Sequence, residues 1–463
     1  MKLTRAFFTL LICLHLLPST AQQNKSNQQL KYQIASHKLL RKAEFIEDPT
    51  VLSLLAKQAE NFAIRYDFEN EIAADLHRIS YKAFKSSLAY GLIDSNTSLT
   101  SKEAFEIADS TMNQYHGHFP KKKKSEKWVV VRSVFLTNDD KYFYSAGADG
   151  KILKWDVATR QNELIYQSDK IDRIIKLSSN DQWIAYATNE DEIYLINLAA
   201  SPIEPIEIKN HRGSILDLVF TPDNTAVISV GTDRRIVYHS LLKDEIKTIS
   251  EYPNSPTDMS ISPSGKLLAV ASRSGEIALF NLTSDNMDPR MFYLSESNTK
   301  VIEGIQFSSS GKYLAYGGYK TDSGYGYITL LDIIDGKLFG PDLIGFTSGV
   351  QAIQFDPSDS KIAGASRDYT VKVWSLDDRR IFDLPVALND HEGWVWSIDF
   401  NTSGSELFTA SADGKIRKFS LNASSYLVNT CSQVQRNLSD FEWLNYIGDP
   451  KDFPYEKTCP EIN

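Results

Sequence analysis

From Trp128 to Leu421 short apolar runs alternate with polar turns in a unit that recurs seven times. Each unit reads as an apolar strand, a polar turn, a second strand, a tight turn that often carries Asp, and a third strand. Asp140, Asp181, Asn224, Gly265, Gly311, Asp359 and Gly404 stand at matching places in the first turn. Asp140 and Gly404 are 264 residues and six units apart, a mean period of 44. Repeats of this size form small sheets that must stack to bury their faces, which predicts blades of a mainly β, seven-bladed propeller over residues 128–423. In the last unit Val395, Ser397 and Asp399 alternate with Trp396, Ile398 and Phe400, the pattern of a strand with one covered face. Strands from Leu407 and from Ile416 follow, joined by Asp413-Gly414, a pair to which the positive φ of a tight hairpin costs little.

The pattern outside the repeats has a helical period. Residues 22–117 are expected to form an all-α domain. Asp48-Pro49 supplies a cap and a first-turn proline, and Val51, Leu52, Leu54, Leu55, Ala59, Phe62 and Ala63 then recur at helical spacing. A further helix is expected from Glu69 to Tyr90. Thr100 with Glu103 marks another that carries Ala104, Ile107, Ala108 and Met112. Residues 118–127, with Lys121 to Lys124, read as a solvated basic linker. Residues 424–463 read as a short helical cap packed across the ring: Leu427, Cys431 and Val434 share a helical face, and Ser439 with Glu442 forms a second capping box. Because that helical period argues against a tail strand, the outer strand of the seventh blade is expected from upstream of Trp128.

The repeats resemble the WD40 family over roughly 300 residues. The resemblance implies that an Asp six residues before a Trp, together with a His, forms hydrogen bonds inside each blade. Asp149 and Trp155 keep that spacing, as do Asp368 and Trp374, while Asp413 keeps it with Phe419. His211 and His391 each stand 22 residues before an Asp, Asp233 and Asp413. Blade two carries Glu190 and Ile196 at these places, and blade four Ser274 and Phe280. The segment from Asp48 to Phe62 and the tail from Cys431 to Pro460 resemble parts of bacterial proteins that join STAND-type ATPase or caspase-like modules to such propellers. No Gly-x-x-x-x-Gly-Lys-Ser/Thr motif occurs, so the resemblance implies the sensing end of such a protein without its nucleotide switch.

Charge and processing signals set the expected compartment. Residues 1–21, with Lys2, Arg5, an apolar stretch from Ala6 to Leu17 and Ala21 before Gln22, read as a signal peptide, too short to span a bilayer. Its removal takes the formal charge from −9 to −11, which disfavours nucleic acid as a partner. Cys13 leaves with that segment. Cys431 and Cys459 remain, and in an exported protein they favour a disulfide over two packed thiols. The expected location is therefore periplasmic or secreted.

Catalytic chemistry finds little purchase. The repeats hold only His211, His239 and His391, two of them at structural places, and neither Gly-x-Ser-x-Gly nor His-Glu-x-x-His occurs. No metal or cofactor is expected. Candidate partner-binding residues gather on one face: Tyr319, Tyr325 and Tyr327 around a lengthened turn in blade five, Arg234, Arg273 and Arg367 beside the Asp turns, and Trp394. Tyr and Arg suit docking surfaces, although the tyrosines equally suit covering their own blade. These residues point to a non-catalytic scaffold that binds a protein or peptide. An exported hydrolase or lyase acting on a sugar, lactone or peptide is the alternative, and it requires a metal or a carboxylate cluster in the tunnel. A fixed subunit of an envelope complex is the third reading.

Overall fold

A computed structural model describes residues 20–89, 114–115 and 129–462, with breaks at 172–173, 189, 244, 253, 284–289, 294–298, 377–384, 423–430, 432–433 and 435. Residues 1–19 of the segment expected to be a signal peptide, the helix expected from Thr100 and the lysine run lie outside the described residues. The chain divides into a helical unit, built from its two ends, and a β unit.

The β unit is a seven-bladed propeller of antiparallel sheets. Blade one starts at Val131, and the inner strands of the next six start at Ile174, Ile215, Pro256, Lys300, Val350 and Val395. Neighbouring inner strands pack in sequence order around the ring, and the first meets the last. The second strand of each blade lies inside its sheet with another blade on either side, so it is buried nearly throughout; Ala226–Gly231 and Leu267–Ser272 accordingly read as runs of small and branched residues. Outer strands such as Asn162–Gln167 and Ile246–Glu251 meet solvent and are mostly polar.

The seven matched turn residues share one backbone state. Asp140, Asp181, Asn224, Gly265, Gly311, Asp359 and Gly404 all take a left-handed φ between 56° and 74°. Only Gly, Asn and Asp enter that region readily, so the residue types mark the turn.

The seventh blade is closed from upstream. Gln114–Tyr115 pairs with Ile416–Ser420, placing Gln114 opposite Arg417 and Tyr115 opposite Ile416. Tyr115 is buried, with ring contacts to Phe143 at 4.9 Å and Trp155 at 5.6 Å. Residues 114–115, expected in the helical domain, belong to the ring, because the third strand of blade seven otherwise has an open edge.

The helical unit contains α1 (Thr20–Ala43), α2 (Pro49–Tyr66), α3 (Glu69–Ala89) and α4 (Asp440–Tyr446). Asp48 caps α2 through the backbone N–H groups of Thr50 and Val51, and Ser439 with Glu442 caps α4 reciprocally. The tail belongs to this helical unit. Leu438, Trp443, Ile447 and Cys459 enter one core with Leu39, Leu52, Leu55 and Phe62, because the inner faces of α1 and α2 would otherwise be bare. The Thr458 hydroxyl donates to Gln58 Oε1 at 2.8 Å, and the Asn61 amide donates to the Thr458 carbonyl at 3.1 Å. Cys431 and Cys459 form the disulfide of this unit, Cα atoms 5.3 Å apart.

Candidate functional site

One backbone irregularity builds the mouth of the central channel. In six blades the register between first and second strands shifts near the start of the pairing, between Val131 and Ser133, Ile215 and Asp217, Pro256 and Asp258, Ile302 and Gly304, Val350 and Ala352, and Val395 and Ser397. Such a bulge inserts one unpaired residue and redirects its side chain. The inserted residues are Arg132, Leu216, Thr257, Glu303, Gln351 and Trp396, and all six line the same cavity of about 420 Å³. The strict alternation expected in the last blade fails at this point: Val395 is buried together with Ile398 and Phe400, while Trp396 is only half-buried.

The bulges place cations against aromatic rings at this mouth. Trp394 is 41% exposed and its ring lies 5.5 Å from that of Trp396. The Arg367 guanidinium sits 5.3 Å from the Trp394 ring centre, and that of Arg132 sits 4.3 Å from Trp396. Arg367 Nη2 also donates to Glu303 Oε1 at 2.6 Å, and Gln351 donates to Glu303 Oε2 at 2.7 Å. Burial raises the Glu303 pKa, and Arg367 and Arg273 oppose that shift by attraction.

Deeper in the channel the walls are polar. Lys176 Nζ lies 3.3 Å from Asp217 Oδ1. Asp217 accepts from the Met259 N–H at 3.2 Å, and Asp258 accepts from the Ile305 N–H at 2.8 Å, so each carboxylate satisfies the free edge of the next blade. Burial and the neighbouring Asp217 push Asp258 well above the usual carboxylate range, whereas the two acids hold Lys176 protonated against burial. Asp399 accepts from Leu136 N–H at 2.8 Å, and burial pushes its pKa up to about 7.

The family-type structural residues act inside blades. Trp155 Nε1 donates to the Ser145 hydroxyl at 2.7 Å, and the buried Asp149 accepts from Lys151 N–H at 3.2 Å. His211 bridges Asp233 at 2.9 Å and Ser229 at 2.8 Å. His391 contacts the Thr409 hydroxyl at 2.8 Å, while Asp413 pairs with the fully buried Arg417 at 2.8 Å. Asp368 accepts from Thr347 N–H at 2.8 Å, and Trp374 packs on Phe346, which holds the His place of blade six, at 5.6 Å. His239 is six residues after Asp233, so it holds the Trp place of blade three, buried beside the Asn210 amide at 3.0 Å. Burial pushes its pKa down to about 4, which keeps it neutral.

The expected partner-binding residues divide. Arg367 and Trp394 touch, and Arg273 reaches Glu303 electrostatically. Arg234 is exposed on the equivalent turn of blade three, three blades away from blade six. Tyr325 is 58% exposed and Tyr319 half-buried. Tyr327 is a correction: it is wholly buried, its hydroxyl donating to the Val301 carbonyl at 3.3 Å. Half of the lengthened turn from Gly317 to Gly326 is in fact strand, Tyr313–Lys320 pairing with Gly326–Asp332, and alternation sends Tyr327 inward. Glu303, Gln351, Arg132 and Trp396 were missed. Each stands one place before Gly304, Ala352, Ser133 or Ser397, where the bulge breaks the two-residue period.

The fold is a seven-bladed propeller, and its blade contacts are similar to those of WD40 repeats. The profile of the family described as WD domain, G-beta repeat matches residues 110–156, 341–375 and 383–420, which include the closing strand and parts of blades one, six and seven. Among curated relatives, Protein hir-1 of Neurospora crassa is 21% identical over 63% of this chain and 34% of its own length. A guanine nucleotide-binding protein subunit beta of Zea mays is 25% identical over 52% of this chain and 64% of its own, and nuclear distribution protein PAC1 of Komagataella phaffii is 29% identical over 36% and 34%. The chain thus spans about a third to under two thirds of the length of these relatives.

Proposed function

We propose that this protein is a non-catalytic interaction scaffold that binds a protein or peptide at the channel mouth carrying Trp394. The observation that carries the reading is Trp394 itself: a large aromatic ring exposed to solvent, buttressed from behind by Trp396 and Arg367. Rigid aromatic rings flanked by arginine are the common anchors of protein interfaces. Relatives that share the repeats include a guanine nucleotide-binding protein subunit, named as part of a protein assembly. The three propeller histidines are buried and held by blade contacts, which fits a structural role.

The proposal includes export. The N-terminal sequence and the Cys431–Cys459 disulfide fit a periplasmic or secreted protein. The likeness of the α2 segment and the tail to bacterial multidomain propeller proteins fits a sensing module working without its ATPase, either free or fixed in an envelope complex. Affinity capture from envelope fractions, wild type against Trp394→Ala, tests the binding reading; a partner retained equally by both rejects it. Mass spectrometry of the mature N-terminus tests export, with Gln22 expected first.

The hydrolase or lyase alternative keeps one observation, the Asp217–Asp258 pair with its displaced pKa. Turnover of a glycoside, lactone or peptide that disappears in Asp258→Asn would favour it over the scaffold.

A further inference from the structure

From the charge and geometry around Trp394 we infer that the segment bound there is acidic: a linear peptide that sets carboxylates against Arg367 and Arg273 and an aromatic side chain on the outer face of Trp394. The inference rests on the scaffold reading and names its partner class. Contacts run without a break from Arg132 to Trp396, Trp394, Arg367 and Glu303, and Glu303 also feels Arg273. Two guanidinium groups, Arg367 and Arg273, thus face one buried carboxylate, a local excess of one positive charge on a chain of formal charge −9. The Arg367 side chain remains 30% exposed after pairing with Glu303, and Arg273 is exposed on its turn. Guanidinium groups prefer carboxylates in a two-point geometry, and a half-desolvated aromatic floor strengthens that attraction. Glu303 and Gln351 fix the Arg367 head before any ligand arrives, which reduces the ordering cost of binding. The patch suits two or three carboxylates rather than a continuous polyphosphate, because a strongly acidic molecule repels an extended polyanion.

Fluorescence anisotropy of the purified full chain tests this with three labelled probes: Asp-Glu-Phe-Asp-Glu, the same peptide with Ala for Phe, and Lys-Arg-Phe-Lys-Arg. The first is expected to bind, more weakly as salt rises; the second is expected to bind less well and the third not at all. Trp394→Ala and Arg273→Glu should each weaken the first probe by about tenfold or more. Lys266→Glu, at the opposite end of blade four, should leave it unchanged. Arg273→Glu spares the Arg367–Glu303 pair, and circular dichroism confirms that the variants fold. No binding of the acidic probe, equal binding of the basic one, or indifference to Arg273→Glu overturns the inference. So does tighter binding of a single-stranded oligonucleotide with the same sensitivity to both variants. A partner captured from the envelope that is lost in Trp394→Ala but kept in Arg273→Glu would leave the scaffold reading standing and remove the acidic peptide.

Discussion

Asp140 of the first blade accepts a hydrogen bond from the backbone N–H of Thr402 in the seventh at 2.9 Å, and a second from the Thr402 hydroxyl. The bond spans the point where the ring closes. It repeats around the molecule: Asp181 accepts from Asn138 N–H at 2.9 Å, and Asp359 accepts from Ser309 N–H at 2.7 Å. Each acceptor also holds the left-handed turn position, so one residue type sets the turn and ties it to the blade before. Where the acceptor is replaced by glycine, the preceding blade still lies beside the turn: a Cβ on Gly265 or Gly311 would make ordinary contact with a proline ring, whereas one on Gly404 would come within 2.7 Å of Asp356.

Asp140→Ala therefore loses the acceptor and forces alanine into a left-handed conformation. The two costs add to about 2 kcal/mol, against about 1 kcal/mol for Asp140→Gly, which loses only the hydrogen bonds. Gly404→Ala should also destabilise by about 1–2 kcal/mol through φ and the Asp356 contact. Urea unfolding of the three variants checks the order; equal losses for the two Asp140 variants would remove the conformational part of the argument.

Blades three and seven carry the same His and Asp places but wire them differently. His211 binds Asp233 directly, whereas Asp413 is held by Arg417 and by the N–H groups of Glu392 and Lys415. A double-mutant cycle on His211 and Asp233 should give a coupling of about 1–3 kcal/mol, and one on His391 and Asp413 a smaller value. Arg417→Met should cost more than either, about 3–5 kcal/mol, because it strands a buried carboxylate beside the closing strand. Chemical denaturation supplies all three numbers.

How much of this was legible depended on whether a residue type has one structural use. The Asp, Asn and Gly turn positions were readable because few other residues adopt their φ, and their spacing gave the blade count. The cap at Asp48 and the capping box at Ser439 were readable for a similar reason, since side-chain acceptors and the backbone N–H donors they meet lie close in sequence. Long-range packing was not. Nothing local in Leu438, Trp443 or Cys459 says that they bury against α1 and α2 rather than the propeller. The mouth of the channel was half legible. Arg367 and Trp394 stood out as exposed types beside turns, but Glu303 and Trp396 depend on bulges that shift a strand by one residue, and Tyr327 fell to the opposite face because the hairpin was longer than its glycines suggested.

Asp399 makes the ring seam sensitive to pH. Its folded pKa of about 7 lies above the ordinary value of 3.8 through burial, partly offset by the N–H bond from Leu136. The folded state therefore holds this proton more tightly than the unfolded chain. The associated stability is fully present below about pH 4 and is lost as pH rises through about 7. Asp399→Asn keeps an oxygen acceptor for Leu136 and removes the titration, so its stability relative to wild type should rise across that window. Urea midpoints measured from pH 4 to pH 8 decide the matter; parallel curves for the two proteins would place the proton elsewhere.

The disulfide acts on the helical unit alone. Cys431 and Cys459 are 28 residues apart, and closing a loop of that length restricts the unfolded chain by about 3–4 kcal/mol on the loop-entropy argument. Cys459 is also buried against the side of the core that holds Trp443, whose indole donates to the Phe453 carbonyl at 2.8 Å. A double variant, Cys431→Ser with Cys459→Ser, should thus lower the unfolding temperature of the α1–α3 core and raise hydrogen exchange across residues 436–462. The propeller, with its own core and closure, should keep its exchange rates. Peptide-level hydrogen exchange on oxidised, reduced and double-variant protein separates the two units, and loss of protection in the Gln114–Tyr115 strand as well would show that the tail's covalent link also supports the ring.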